Sequence, residues 1–305
     1  PGAWSGGAHG PRSSVTIRAG IRHEPGLSVI DTKALLDLDP ALATDLLVRF
    51  LRAEAGKFGF ERAVLGLSGG VDSAVSCALA ARAFGPQNVL AILMPYRTSN
   101  PDSAQDAERV VAATGVQSKL VEISDMVDGY LDQEGVQDQT RRGNVMARAR
   151  MIVLYDHSAR DNALVIGTSN KTEILLGYST QFGDAACALN PLGDLWKHQV
   201  FQLAAHLDLP DEVSAKPPSA DLFEGQSDED DLGFSYAEAD AVLVRLVDHR
   251  WSQDDLVRAG FDADLVERLG RRIVINQYKR LPPIVAKLGE RTVNQDFRYL
   301  RSWGH

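Results

Sequence analysis

Residues 64–73, VLGLSGGVDS, constrain this chain more than any other segment: an apolar run ends in a double glycine, and a helical pattern opens on an aspartate. Strand, tight turn and helix in that order make an α/β unit, because the apolar run suits a buried strand and paired glycines let the main chain reverse. The helix start leaves unpaired N–H groups and partial positive charge facing the turn, and Gly69 and Gly70 let an anion come close to the backbone. The segment therefore reads as a phosphate cradle built from Gly66, Leu67, Ser68, Gly69, Gly70, Val71, Asp72 and Ser73. The patterns GxxxxGK[ST] and GxGxxG are both absent. In place of a lysine the turn carries Asp72, a hard oxygen donor suited to Mg²⁺, flanked by the hydroxyls of Ser68 and Ser73. Such a turn suits the pyrophosphate of ATP with a metal ion beside it. The plainer alternative is an Asp-started helix after a glycine turn.

Short apolar runs near residues 62–67, 89–94, 118–123 and 163–167 alternate with stretches of helical period, which predicts a doubly wound parallel sheet with flanking helices. Punctuation agrees, with Gly85-Pro86 closing one helix, Asn100-Pro101 opening the next and Gly115 ending it. Ligands of such sheets sit beyond the carboxyl ends of the strands. The glycine turn follows the first strand and Gly167–Ser169 follow the fourth, so both face one crevice. From residue 194 onward the pattern is mainly helical, giving a helical C-terminal part. Upstream, residues 40–55 set Leu42, Leu46, Leu47, Phe50 and Leu51 on one helical face, expected to meet the core. Residues 1–30, rich in Gly, Ser, Pro and Arg without a sustained period, are expected to form a flexible N-terminal extension, leaving 31–305 as the functional domain.

Composition narrows the partners. With 305 residues, 44% of them hydrophobic, the chain can bury a sizeable core. No apolar run approaches the roughly 20 residues of a membrane helix, so no membrane partner is expected and a cytoplasmic location is the default. A formal net charge of −9 argues against a nucleic-acid partner, which calls for basic patches. The two cysteines, Cys77 and Cys187, permit no CxxC metal site, and Cys77 reads as a small buried helical residue.

The segments GNVMARARM at 143–151, GTSNKTEILLGYSTQFGD at 167–184, NPLGDLWK at 190–197, KPPSADLFEGQSDEDDLG at 216–233 and YKR at 278–280 resemble, in order and spacing, those of ammonia-dependent NAD synthetases. SGGVDS in turn resembles the loop of the wider ATP pyrophosphatase family, so the resemblance spans essentially residues 31–305. It implies a Rossmann-like sheet of the adenine nucleotide alpha hydrolase type. It also implies a reaction: ATP adenylates the nicotinate carboxylate of deamido-NAD, and ammonia displaces AMP to give NAD, with a homodimer as the assembly.

The resemblance also implies roles for particular residues. Glu173 would share Mg²⁺ with Asp72, while Thr168, Lys197 and Ser219 contact ATP, Lys197 on a phosphate oxygen. Arg97 and Gln105 fall where the family contacts adenosine and its phosphates, although a mere loop arginine is an equal reading of Arg97. Asn144 and Arg148, four apart and so on one helical face, would serve deamido-NAD together with Gln181, Phe182, Asp184, Tyr278 and Lys279. Asp184 lies next to the reacting nicotinate and could take a proton from ammonia. Phe182 and Tyr178 either stack on the nicotinate or fill the core. Three positions depart from the family: Tyr278 stands in place of a histidine, Gln181 in place of a lysine and Ala188 in place of an aspartate. The loop around them is similar to that of the longer, glutamine-using enzymes, yet 305 residues leave no room for their glutaminase domain, so free ammonia is the expected nitrogen source. Polar segments near 97–106 and 217–232 are expected to be loops that close over the ATP crevice. Two rivals are open: a tRNA-modifying pyrophosphatase, which shares the loop and would carry a basic extension, and a non-catalytic adenine-nucleotide module built on a similar sheet, which would not need both carboxylates.

Overall fold

The computed structural model describes residues 31–216, 219, 227–293 and 296; the expected extension at 1–30 lies outside the described residues. After a short helix α1 (Thr32–Leu36), α2 (Pro40–Gly56) starts where the Asp39 carboxylate accepts from the N–H groups of Ala41 and Leu42 and Pro40 occupies the first turn. There follow β1 (Arg62–Gly66), α3 (Val71–Phe84), β2 (Val89–Leu93), α4 (Pro101–Thr114), β3 (Gln117–Leu120), α5 (Ser124–Gln133), α6 (Gln139–Asp161) and β4 (Ala163–Val165). Each strand falls within a residue or two of its sequence expectation at the start. The caps are those read from the punctuation: Gly85 and Gly115 end α3 and α4 at positive φ, and the Asn100 side chain accepts from Asp102 N–H.

The four strands are parallel in the order β3-β2-β1-β4. Their alternating side chains divide the core in two. Ala63, Leu65, Val89 and Ala91 pack with buried residues of α2, α3 and α4 on one face, while Val64, Ile92 and Val165 pack with Val127, Leu131, Met146 and Val153 of α5 and α6 on the other. The sheet is thus doubly wound, and the winding reverses between β1 and β4, which makes the carboxyl ends of those two strands the switch point where a crevice opens.

The chain beyond β4 is helical, as expected: α7 (Lys171–Leu176), α8 (Lys197–His206), α9 (Asp211–Ala215), α10 (Asp228–Leu232), α11 (Tyr236–Leu243) running into a π turn (Val244–Asp248), α12 (Gln253–Arg258) and α13 (Ala263–Ile275). α8 joins the α2–α3 face through Val200 and Leu203, whereas Leu176, Trp196, Val242, Leu243, Leu256 and Leu269 form a separate core cluster. The switch-point helices α7 and α8 are therefore backed by packed helices.

Two expectations need correction. In α2 the buried stripe is Ala43, Thr44, Val48, Leu51 and Ala55, with Leu47 and Phe50 half-buried, while Leu42 and Leu46 are more than half exposed at 55% and 56%. Counting leucines alone set the face too wide; small residues Ala43 and Ala55 mark the true seam because α2 lies close against α3. The segment 97–106 is not a loop throughout, since helix α4 begins at Pro101. Of the second expected loop, residues 217, 218 and 220–226 lie outside the described residues, and 228–232 form α10.

Candidate active site

Gly69 shows why the turn after β1 needs glycine. Its φ is +84°, and a Cβ there would stand 2.3 Å from the carbonyl oxygen of Ser103 in α4, so any side chain would meet backbone. The hydroxyls tie the turn to the helix: Ser73 Oγ donates to Gly70 O at 2.9 Å and accepts from Ser68 N–H at 3.2 Å. These bonds fix the turn between β1 and α3, and the first N–H groups of α3 have no intrahelical partners.

Glu173 arrives from the other side of the switch point. Asn170 caps α7 by accepting from Glu173 N–H at 3.0 Å, the Glu173 carboxylate turns back to the N–H of Asn170, and the Asn170 amide donates to Asp72 Oδ1 at 2.8 Å. A capping box thereby joins the start of α7 to the start of α3. Lys197, the first residue of α8, completes the group: its Nζ donates to Asp72 Oδ2 at 2.5 Å and to Glu173 Oε1 at 3.2 Å, and it lies 4.8 Å over the Tyr236 ring. The lysine is 2% exposed, unlike an ordinary solvated surface lysine. Asp72 and Glu173 are both ion-paired with the Lys197 ammonium.

The electrostatics are those of a site holding too much negative charge. Tyr236 Oη donates towards Asp228 Oδ2 at 3.1 Å and sits 3.5 Å from Glu173 Oε1, which brings a third carboxylate close to Asp72 and Glu173. Against these stands Lys197. Burial, reinforced by Asp72, pushes the Glu173 carboxyl up to about 8. Burial alone would depress the Lys197 ammonium, but Asp72 and Glu173 override it and hold its pKa above the ordinary lysine value. Tyr236 and Tyr178 are likewise held above the ordinary phenol range, first by burial and then by the surrounding carboxylates. A divalent cation fits this donor set chemically: Asp72 and Glu173 offer hard oxygens within reach of one small ion, and the surplus charge favours it. Among the described residues no cluster of three or more His, Cys, Asp or Glu ligands exists, so such an ion would depend on phosphate and water oxygens for the rest of its shell.

A second group gathers beyond the cradle. Asn144 Oδ1 accepts from Thr180 Oγ1 at 2.8 Å, Arg148 donates to the Gln181 carbonyl at 3.3 Å, and Asp184 Oδ1 accepts from Thr180 N–H at 2.8 Å. Lys279 donates to the carbonyls of Gly177 and Ser179, at 2.6 and 2.7 Å, so it braces this loop, and burial holds its pKa below the ordinary value. Of the two aromatic alternatives, Phe182 is 58% exposed at φ +60° and so does not fill the core, whereas the Tyr178 hydroxyl is engaged by Asp228 and Asp231. Tyr278 is exposed, and Thr168 lies half-buried in the turn after β4.

Three expected residues remain, Arg97, Gln105 and Ser219. Arg97 is ion-paired with Asp128 of α5 and its N–H donates to Ser124 Oγ at 2.9 Å. Gln105 lines a cleft of about 390 Å³ with Asp102, Asp106, Arg109, Glu212, Ala215 and Lys216. Ser219 is exposed on the segment after Lys216. Sequence reasoning missed Lys216, whose Nζ donates to Ser103 Oγ at 3.1 Å and Asp106 Oδ2 at 2.9 Å beside the glycine turn. It also missed Asn170 and Tyr236; the signal for Asn170 was the N-x-x-E spacing of a capping box, while Tyr236 had none.

The family model described as NAD synthase matches residues 43–283. An NH(3)-dependent NAD(+) synthetase of Chlorobium phaeobacteroides (strain BS1) is 56% identical over 268 residues, covering 88% of this chain and 97% of its own length. Among solved structures, the NH3-dependent NAD synthetase from Campylobacter jejuni aligns with a TM-score of 0.71 at 35% identity, covering 82% of this chain and all (100%) of its own. An NMN synthetase from Francisella tularensis aligns with a TM-score of 0.73 at 31% identity, covering 82% and 99%. With the family model extending from α2 past α13 and the glycine turn, Asp72, Glu173 and Lys197 all inside it, the chain belongs to the NAD synthase family.

Proposed function

We propose that this chain is an ammonia-dependent NAD⁺ synthetase, a C–N ligase that converts deamido-NAD, ATP and ammonia to NAD, AMP and pyrophosphate in the last step of NAD biosynthesis. The observation that carries the reading is the meeting of Asp72, Glu173 and Lys197 at the switch point of the sheet, where Asp72 follows the glycine turn. A phosphate cradle alone would serve a binding module. Paired carboxylates with a buried lysine suit a site where pyrophosphate must leave.

In this reading a carboxylate oxygen of the nicotinate attacks the α-phosphorus of ATP, the bond to the β-phosphate oxygen breaks, and pyrophosphate departs with the electron pair. Gly69, Gly70 and the first N–H groups of α3 hold its charge. Asp72 and Glu173 would hold Mg²⁺, which supplies charge neutralisation on the phosphates when bound. Lys197 then turns from the carboxylates to a phosphate oxygen and brings its positive charge there. Ammonia attacks the carbonyl carbon of the acyl adenylate, AMP leaves, and Asp184 accepts the proton that nitrogen sheds. Asn144, Arg148, Gln181, Phe182, Tyr278 and Lys279 frame the dinucleotide, while Thr168, Arg97, Gln105 and Ser219 serve ATP. Arg97 can do so only after releasing Asp128.

We further propose a homodimer in the cytoplasm, where ATP is maintained. Met126 and Tyr130 of α5 with Ile152 and Tyr155 of α6 leave large apolar side chains 40–54% exposed on adjoining helices, a surface suited to a second copy. No helix among the described residues is long and apolar enough to cross a membrane.

Incubation with ATP, Mg²⁺, ammonium and deamido-NAD should yield NAD and AMP in equal amounts. Release of AMP without NAD, or ATP binding without turnover, refutes the reading. The likeness to an NMN synthetase favours one second reading, amidation of the mononucleotide, and deamido-NMN as a competing acceptor in the same assay decides between them.

A further inference from the structure

The helices that carry Glu173 and Lys197 are short, and each is gripped from behind by the same element. Asp240 of α11, 1% exposed, accepts from Thr172 Oγ1 of α7 at 2.5 Å through one carboxylate oxygen and from the His198 N–H of α8 at 2.9 Å through the other. Thr172 Oγ1 in turn accepts from Lys197 N–H at 3.1 Å. Asp248, at the end of the π turn, repeats the arrangement: Lys171 of α7 donates to one of its oxygens at 2.8 Å and Trp196 Nε1, just before α8, to the other at 3.0 Å. Lys171 also lies 4.5 Å over the Trp196 ring.

The π turn explains how two aspartates eight residues apart reach the same pair of helices. An α-helix advances about 100° per residue, so eight residues overshoot two turns by about 80°. The wider winding over Val244–Asp248, closed by the His249 N–H to Val244 O bond of 3.2 Å, removes rotation and brings Asp248 back towards the face that carries Asp240.

We infer that Asp240 and Asp248 are positioning residues for adenylation: each bridges α7 to α8, and together they set the separation between the Glu173 carboxylate and the Lys197 ammonium. The inference rests on the NAD synthetase reading for the reaction it serves, though the clamp itself is a feature of the fold. Asp240 is the stronger arm, being fully buried with both oxygens engaged, while the Asp248 side chain is 37% exposed.

Thr172→Val keeps the shape of a fully buried residue while removing the hydroxyl that links Asp240 to α7, and Thr172→Ser restores that hydroxyl. Asp240→Asn and Asp248→Asn test the two arms directly. Thr172→Val and Asp240→Asn are each expected to lower kcat at least tenfold with KM for deamido-NAD changed less than about threefold. Thr172→Ser is expected to recover kcat to within about threefold of wild type, and Asp248→Asn to lose about threefold. Thermal denaturation on the same samples fixes the folded fraction, and titration calorimetry gives the Mg²⁺ dependence of ATP binding, which does not depend on the acceptor amidated. Weaker Mg²⁺ dependence in Thr172→Val, regained in Thr172→Ser, supports the clamp even if wild type makes no NAD, a result that would sink only the reaction assignment. Wild-type kcat in folded Thr172→Val, or a loss that Thr172→Ser fails to recover, overturns the clamp.

Discussion

Replacing Glu173 with glutamine removes one negative charge from a site that holds a surplus, and the consequence can be worked out before any substrate is added. The Glu173 side chain is 13% exposed, and its carboxyl rises from an ordinary 4.5 to about 8 because of burial and the neighbouring Asp72. A pKa raised in the folded state gives stability that is fully present below about pH 4.5 and is lost as pH climbs through about 8. At about 1.4 kcal/mol per pH unit the whole interval corresponds to at most about 5 kcal/mol. The part of that interval above pH 5.5, about 2.5 units, corresponds to at most about 3 kcal/mol, and roughly 2–3 kcal/mol is the expected difference. Denaturant unfolding of the metal-free protein at pH 5.5 and pH 8.5 should therefore show wild type losing about 2–3 kcal/mol more than Glu173→Gln. Lys197 contributes nothing to this window, since its pKa lies above the ordinary lysine value in the folded state. Other buried carboxyls, Asp240 among them, titrate in both proteins and cancel in the difference. Glu173→Gln should also lose Mg²⁺-dependent pyrophosphate release. Equal pH dependence in the two proteins would refute the account of a charge surplus at the switch point.

Gly69→Ala should cost about 2–4 kcal/mol of stability and abolish ATP binding, because a positive φ of +84° is combined with a backbone oxygen 2.3 Å from the new Cβ; unfolding and nucleotide titration check both. Phe182→Ala should raise KM for deamido-NAD about tenfold while leaving KM for ATP unchanged, since the exposed ring belongs to the second group of residues and not to the cradle. Asn170→Ala removes the cap of α7 and the bond to Asp72; a loss of about 1–2 kcal/mol in unfolding and a kcat reduced more than tenfold are expected.

Much of this architecture was legible because the signals are local. Strand positions follow from apolar runs bounded by Gly, Pro and Asn, and the cradle follows from SGGVDS, whose glycines and first-turn aspartate fix its backbone and charge within ten residues. Glu173 and Asp72 were paired through a family resemblance and are joined in the structure by Asn170 and Lys197. Helix α2 shows the limit of pattern reading: Leu42 and Leu46 look like core residues in a helical plot, yet the surface that covers the other stripe comes from α3, a contact that no periodicity reports.

The sequence by itself determined the order of strands and helices, the glycine turn and the kinds of charge brought to it, since each depends on torsions and caps set by neighbouring residues. Only the tertiary structure decided that Lys197 would stand between Asp72 and Glu173, that Tyr236 would cover it, and that Asp240 and Asp248 would brace the helices beneath. Those contacts join residues as many as 125 positions apart, and their energy comes from excluding water around charges that no stretch of chain could bury alone.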